Sequence, residues 1–194
     1  MSRQTLDDFF GKKVFMVCLI VMSFLNLMPV AAQGKWQTFE SKEAAFSVLL
    51  PGTAILMEKM VSTPAGDFLV HTVFTESSTD STGNFLYLVN YFEVKNVDLS
   101  PDSSFDAFVF LEDFMENIRV SVNGTVLYSH RDHFDKNPVL EYRLNYQDDQ
   151  LQMKGRILSV GQMLYSLQVF TDKKNSLNRN MDVFLKSIKL LKPE

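Results

Sequence analysis

One cysteine, one tryptophan and three histidines stand in 194 residues. With Cys18 alone, no disulfide can close within the chain and no paired-thiolate metal set exists, so stability has to come from apolar burial. Lys and Arg (19) are outnumbered by Asp and Glu (23), giving a formal net charge of −4. The clustered cations that a nucleic-acid backbone demands are therefore missing. Glycine (8) and proline (6) are scarce, so each one is a turn signal worth reading. No Gly-x-Ser-x-Gly, His-Glu-x-x-His, Gly-x-x-x-x-Gly-Lys or Gly-x-Gly-x-x-Gly occurs. That removes the nucleophile elbow, the helical zinc pair, the phosphate loop and the dinucleotide fingerprint.

The chain has a single long apolar run, Val14 to Met28, preceded by Lys12-Lys13 and followed by Pro29-Val30-Ala31-Ala32-Gln33. A charged flank, a greasy core and small residues in this order predict a secretory signal over residues 1–32, cut between Ala32 and Gln33. A retained anchor over Val14–Ala32 is the competing reading. A spanning helix takes about 20 apolar residues, and Asn26 and Pro29 interrupt this one. Cys18 sits in mid-run after the bulky Val17, which makes it an apolar core residue rather than a lipidation site. Residues 33–194 have a length that suits one domain. They hold 16 basic and 21 acidic residues and 13 phenylalanines.

Along residues 33–194 the punctuation is clear. Trp36–Glu40 is an extended lead-in, and Phe46–Leu50 is a strand stopped by Pro51-Gly52. Ile55–Thr63 and Asp67–Glu76 flank Pro64-Ala65-Gly66 as a hairpin. Phe85–Val94 is a further strand rich in aromatic and branched residues. Ser100-Pro101-Asp102 reads as a helix start, with a capping hydroxyl and proline at the first helical position. Phe108, Leu111, Met115, Ile118 and Val122 form one apolar stripe to about Val122, with Phe110 and Phe114 beside it. Asn123-Gly124 ends that helix. Strands follow at Thr125–Phe134 and Val139–Tyr146. The stretch Leu151–Thr171 is too long for one strand and folds back at Ser159-Val160-Gly161-Gln162. Ser176 then caps a final helix carrying Leu177, Met181, Phe184, Leu185 and Ile188. This order predicts an α+β fold: an antiparallel β-sheet covered by two main α-helices.

Trp36-Gln37-Thr38-Phe39-Glu40-Ser41, then Phe46-Ser47-Val48-Leu49-Leu50-Pro51-Gly52-Thr53, and the closing Phe184-Leu185-Lys186-Ser187-Ile188-Lys189-Leu190 resemble the small exported bacterial domains of the PsbP-like (Mog/PsbP) family. The resemblance spans nearly all of residues 33–194 and implies the same strand and helix order. Asp135-Lys136-Asn137-Pro138-Val139-Leu140-Glu141-Tyr142 stands where such domains carry a glycine-rich turn. The fold hosts unrelated roles, and no partner-binding residue of the family is carried over.

The densest group of ligand-type side chains is His130-Arg131-Asp132-His133-Phe134-Asp135. Imidazole and carboxylate suit zinc or another divalent cation. Residues three apart on a strand face opposite sides, so His130 and His133, or Asp132 and Asp135, share an ion only across a bend; a solvated strand end is the plainer reading. His71 lies mid-strand as a structural histidine without an evident catalytic partner. Asp148-Asp149 lacks the spacing of a calcium loop and fits a hairpin turn. Glu112, Asp113 and Glu116 form an exposed acidic helix face. Asn123-Gly124-Thr125 matches a glycosylation acceptor, although the helix stop already explains those residues. Tyr87, Tyr91, Phe92, Tyr142, Tyr146 and Tyr165 could line a recognition groove or fill a sheet core.

No catalytic residue and no cofactor is assigned. The sequence reads as an exported, periplasmic or secreted, non-enzymatic module that binds a protein partner or envelope component. It does not bind nucleic acid, and it meets the membrane only if the leader is retained. The alternative is a small-molecule or divalent-metal binder using His130, Asp132, His133 and Asp135. A hydrolase without a recognisable motif is the third reading.

Overall fold

The computed structural model describes residues 36–63, 66–76, 82–95, 97–101, 103 and 105–192. The leader and its cut at Ala32 and Gln33 lie outside the described residues. Ten strands are described: β1 (Trp36–Ser41), β2 (Phe46–Pro51), β3 (Ile55–Thr63), β4 (Gly66–Glu76), β5 (Asn84–Glu93), β6 (Thr125–Phe134), β7 (Asn137–Tyr146), β8 (Leu151–Val160), β9 (Met163–Asp172) and β10 (Lys189–Leu190). The helices are α1 (Ala107–Ser121) and α2 (Arg179–Leu185).

Seven strands form one antiparallel sheet in the order β3-β4-β5-β9-β8-β7-β6, and three form a small sheet, β1-β2-β10. The hairpins are the expected ones, because short connections join strands antiparallel. The turn at Gly161 uses a left-handed backbone (φ 58) that glycine adopts without strain. Helix α1 carries the chain from β5 across one face to the far edge at β6. On that face Phe110, Leu111, Phe114, Met115 and Ile118 pack with Leu88, Leu140, Tyr142, Leu144 and Met153.

The opposite face departs from the expected two-helix cover. The three-stranded sheet lies over it together with the seven-residue α2. Phe46 and Phe184 share this second core with Tyr87, Tyr91, Tyr165 and Leu167. The Tyr165 hydroxyl donates to the Ala44 carbonyl at 2.7 Å, tying the two sheets together. The domain is thus an α+β fold in which strands do most of the covering on one side.

Both helix starts also differ from the sequence reading. Helix α1 begins at Asp106, whose carboxylate accepts from the Phe108 and Val109 amides at 3.0 and 3.4 Å. Ser100 instead closes a turn with Ser103. The reason lies just upstream: Val97 and Leu99 are buried, and the Val94 and Leu99 amides donate to Gln162 and Gly161 carbonyls on the β8–β9 turn. These bonds pin the segment outside helix geometry, so the helix starts only beyond it. Helix α2 is capped by Asn178, not Ser176. The Asn178 side chain accepts from the Met181 amide and exchanges two hydrogen bonds with Asn84 on β5. Leu177, expected on that helix, is outside it and 80% exposed. The Asn123-Gly124 stop stands as read. Asn123 is left-handed (φ 50), and the Gly124 and Asn123 amides donate to the Arg119 and Val120 carbonyls, a Schellman pair.

Candidate functional site

Side chains alternate along β3, with Ile55, Met57, Lys59 and Val61 towards α1 and Leu56, Glu58 and Met60 towards the small sheet. On the α1 side Ile55, Met57 and Val61 pack into the core. On the other side the small sheet covers Tyr91 and Tyr165, which Phe46 meets at 5.1 and 5.3 Å, and Val73 on β4, but not the exposed residues of β3. Leu56 and Met60 are left 60% and 59% exposed, and Leu69, directly across from Met60 on β4, is 43% exposed.

A polar row crosses this apolar patch. Glu58 faces His71, and His71 faces Tyr91. His71 Nδ1 lies 3.1 Å from Glu58 Oε1. The His71 ring stacks flat on Tyr91, with centroids 4.8 Å apart and planes at 5°. Burial raises the Tyr91 phenol above its ordinary value against a lowering hydrogen bond from Ser41, and Glu43 and Glu58 push it further up. The flat stack does not direct the imidazole edge at the phenol, so the row orients and stiffens rather than forming an acid–base pair. What the patch offers chemically is desolvation of three large side chains beside fixed polar groups.

The two edges of the seven-stranded sheet contrast. β6 presents Ser129, His130, Arg131, Asp132 and His133, all exposed. Arg131 is forked onto Glu112 at 2.7 and 2.8 Å and lies over the Phe108 ring, against which His133 packs edge-on. Charged side chains are a standard guard on an edge strand. β3 carries the same number of formal charges, Glu58 and Lys59 in nine residues, but Lys59 has no ion-pair partner among the described residues. Among the described residues no strand pairs with its outer side.

The sequence-predicted residues are distributed as follows. His130 and Asp132 lie on the small-sheet side of β6, His133 on the α1 side, and Asp135 in the β6–β7 turn with a left-handed backbone (φ 56). They do not converge, and among the described residues no group of three His, Cys, Asp or Glu side chains could hold a metal ion. Glu112 and Glu116 do not stand bare but pair with Arg131 and Arg119. Tyr87, Tyr142 and Tyr165 are buried and line no groove, and Tyr146, also buried, borders one depression. Asp148 and Asp149 form the β7–β8 turn, where Gln147, Asp148 and Asp149 are all left-handed (φ 50, 51 and 68).

That turn borders a depression of about 1010 Å³ reaching from Asn123 and Thr125 to Lys173 and Ser176. Gln152 donates to Asn145, Asn145 to Asp149, and Lys173 pairs with Asp149. The Lys173 ammonium holds the Asp149 carboxyl below the usual carboxylate range. Gln152, whose Oε1 is buried without a hydrogen-bond partner, lies at its wall, while the Tyr146 hydroxyl, also unpartnered, belongs to the core on the α1 side.

Leu56, Met60 and Leu69 were not singled out by sequence reasoning. Ile-Leu-Met-Glu-Lys-Met-Val mixes apolar residues onto both faces of β3, and only the sheet order shows which face stays uncovered. Among the described residues no helix is long and apolar enough to cross a membrane.

No family model matches the chain, and no curated protein matches it in sequence. Among solved structures it is similar to cyanobacterial PsbP (CyanoP) from Synechocystis sp. PCC 6803, with 14% identity, a TM-score of 0.55, and coverage of 86% of this chain and 98% of that one. A protein of unknown function from Pseudomonas aeruginosa, PA94, aligns with 9% identity and a TM-score of 0.35 over 73% of this chain and 86% of its own. The chain therefore has a PsbP-like fold, as the opening and closing motifs implied.

Proposed function

We propose that this protein is an exported, non-catalytic docking module whose residues 33–194 form one domain that engages a protein partner of the cell envelope through the outer face of β3 and β4. The observation that carries the reading is the exposure of Leu56, Met60 and Leu69 on neighbouring strands at an open sheet edge. Apolar side chains that stay contiguous and exposed are a mark of interaction surfaces. The leader-like N-terminus supports export. The test is reversible crosslinking in the native cell followed by purification of the tagged chain. Wild type brings down one dominant envelope protein, and Leu56→Lys/Met60→Lys, at two largely exposed positions, does not. Equal recovery with both chains refutes the assignment of the surface.

The unpartnered Gln152 Oε1 favours a second reading, a small polar ligand in the depression between β7 and Lys173. A ligand of this kind would donate to Gln152, and its binding would be lost in Gln152→Leu. Calorimetry with zinc, calcium and a panel of sugars and amides tests it, and absence of heat from every one removes it.

A further inference from the structure

We infer that the docking surface works by strand addition, and that its occupant is an extended segment with a cation next to a carboxylate, each flanked by apolar residues; this rests on the docking reading above. Three observations carry it. First, β3 is the unpaired edge of a seven-stranded sheet, so every second residue turns backbone donors and acceptors outward, which is the template for an added strand.

Second, the charges along this edge are few and, apart from His71 beside Glu58, unmatched among the described residues. On the small-sheet side β3 presents Leu56, Glu58 and Met60, and on the α1 side Ile55, Met57, Lys59 and Val61. Lys59 has no ion-pair partner among the described residues, and the Glu58 side chain is 64% exposed even with His71 against one oxygen.

Third, a second copy cannot satisfy these charges. In a continuous two-fold sheet, directly opposed residues lie on the same face. An even-numbered residue of β3 would then oppose only even-numbered ones, and an odd only odd. The even set holds one charge, Glu58, and the odd set one charge, Lys59. No register of self-pairing brings Glu58 opposite Lys59. The fullest overlap sets Lys59 against Lys59, and a slip centred on Glu58 sets Glu58 against itself. Like charges directly opposite are destabilising. A foreign antiparallel strand has no such restriction. Opposite Met60, Lys59, Glu58, Met57 and Leu56 in turn it would place an apolar residue, Asp or Glu, Lys or Arg, and two more apolar residues.

The test uses the full chain in mild detergent and two synthetic peptides, Thr-Val-Asp-Lys-Val-Val-Thr and the same peptide with Glu in place of Lys. Methyl signals of Met57 and Met60 report binding, and amide exchange across β3 reports strand addition. Wild type prefers the Lys peptide by about three- to tenfold, and Glu58→Lys inverts the preference. β3 amides become protected only with the bound peptide. Equal binding of both peptides, shifts away from β3, or protection of β3 by self-association at rising concentration each overturn the inference. If the crosslinked partner is lost on Leu56→Lys/Met60→Lys yet neither peptide protects β3, docking stands and strand addition falls. If the peptides behave as expected but that variant retains its partner, the docking function falls instead.

Discussion

Gly155→Ala places one methyl group where the fold has no room for it. Gly155 on β8 lies opposite Tyr142 on β7, and the tyrosine ring lies across it on the α1 side. A Cβ at Gly155 would meet Tyr142 Cζ at 2.2 Å and Cε1 and the hydroxyl oxygen at 2.4 Å. Tyr142 is fully buried, and its hydroxyl accepts from Gln168 Nε2 at 3.1 Å and faces Met153 Sδ at 3.7 Å. The ring must retreat by about 1 Å into a close-packed core. Overpacking of this kind costs about 1–3 kcal/mol, and loosening the buried Gln168 bond adds about 1–3 kcal/mol. The expected loss is about 2–6 kcal/mol, read as a lower urea midpoint and a melting temperature lower by about 4–24 °C. Tyr142→Leu shortens the side chain that collides, so the double variant should lose less than the sum of the singles. A Gly155→Ala protein within about 0.5 kcal/mol of wild type, or strict additivity with Tyr142→Leu, would refute the reasoning.

Three further outcomes follow from the structure. Burial pushes the Tyr165 phenol up to about 12 from an ordinary 10.0. The neutral form is the one the fold favours, so its stabilisation is complete below pH 10 and is lost as the pH rises towards 12. Tyr165→Phe should remove about 1.4 kcal/mol of that alkaline loss in urea titrations at pH 8 and 11. A residual loss should remain from Tyr146, which burial and Asp172 also raise. Gln147→Gly relieves one left-handed residue in a run of three and should stabilise by about 0.5–1 kcal/mol; a loss of stability contradicts it. Asp106→Ala should cost about 1 kcal/mol while Ser100→Ala costs almost none. The opposite ranking would restore the upstream helix start.

Much of the fold was legible because its turns are local. Asn123-Gly124 and Gly161 announce themselves through backbone conformations that few residues adopt. The errors came where distant contacts overrule local chemistry. Ser100-Pro101-Asp102 has the composition of a helix start, but Leu99 is hydrogen-bonded to a turn some sixty residues away. Ser176 is a good cap by type, yet Asn178 wins because Asn84 on β5 holds it. The cover of the second face was missed for a similar reason. β10 is two residues long and has no pattern of its own. The candidate surface was the least legible part. Exposure of Leu56, Met60 and Leu69 depends on β3 being the last strand of its sheet, and strand order across β5 and β9 is a long-range property. By contrast, the spacing of His130 and His133 already placed them on opposite faces, and the structure keeps them there.

The most direct measurement is photo-crosslinking in the native cell from single positions along both edges. The account predicts adducts with one protein from Leu56 and Met60, their loss on Leu69→Lys, and none from Ser129 or Asp132 on β6. Adducts from β6 with silence along β3 would contradict it.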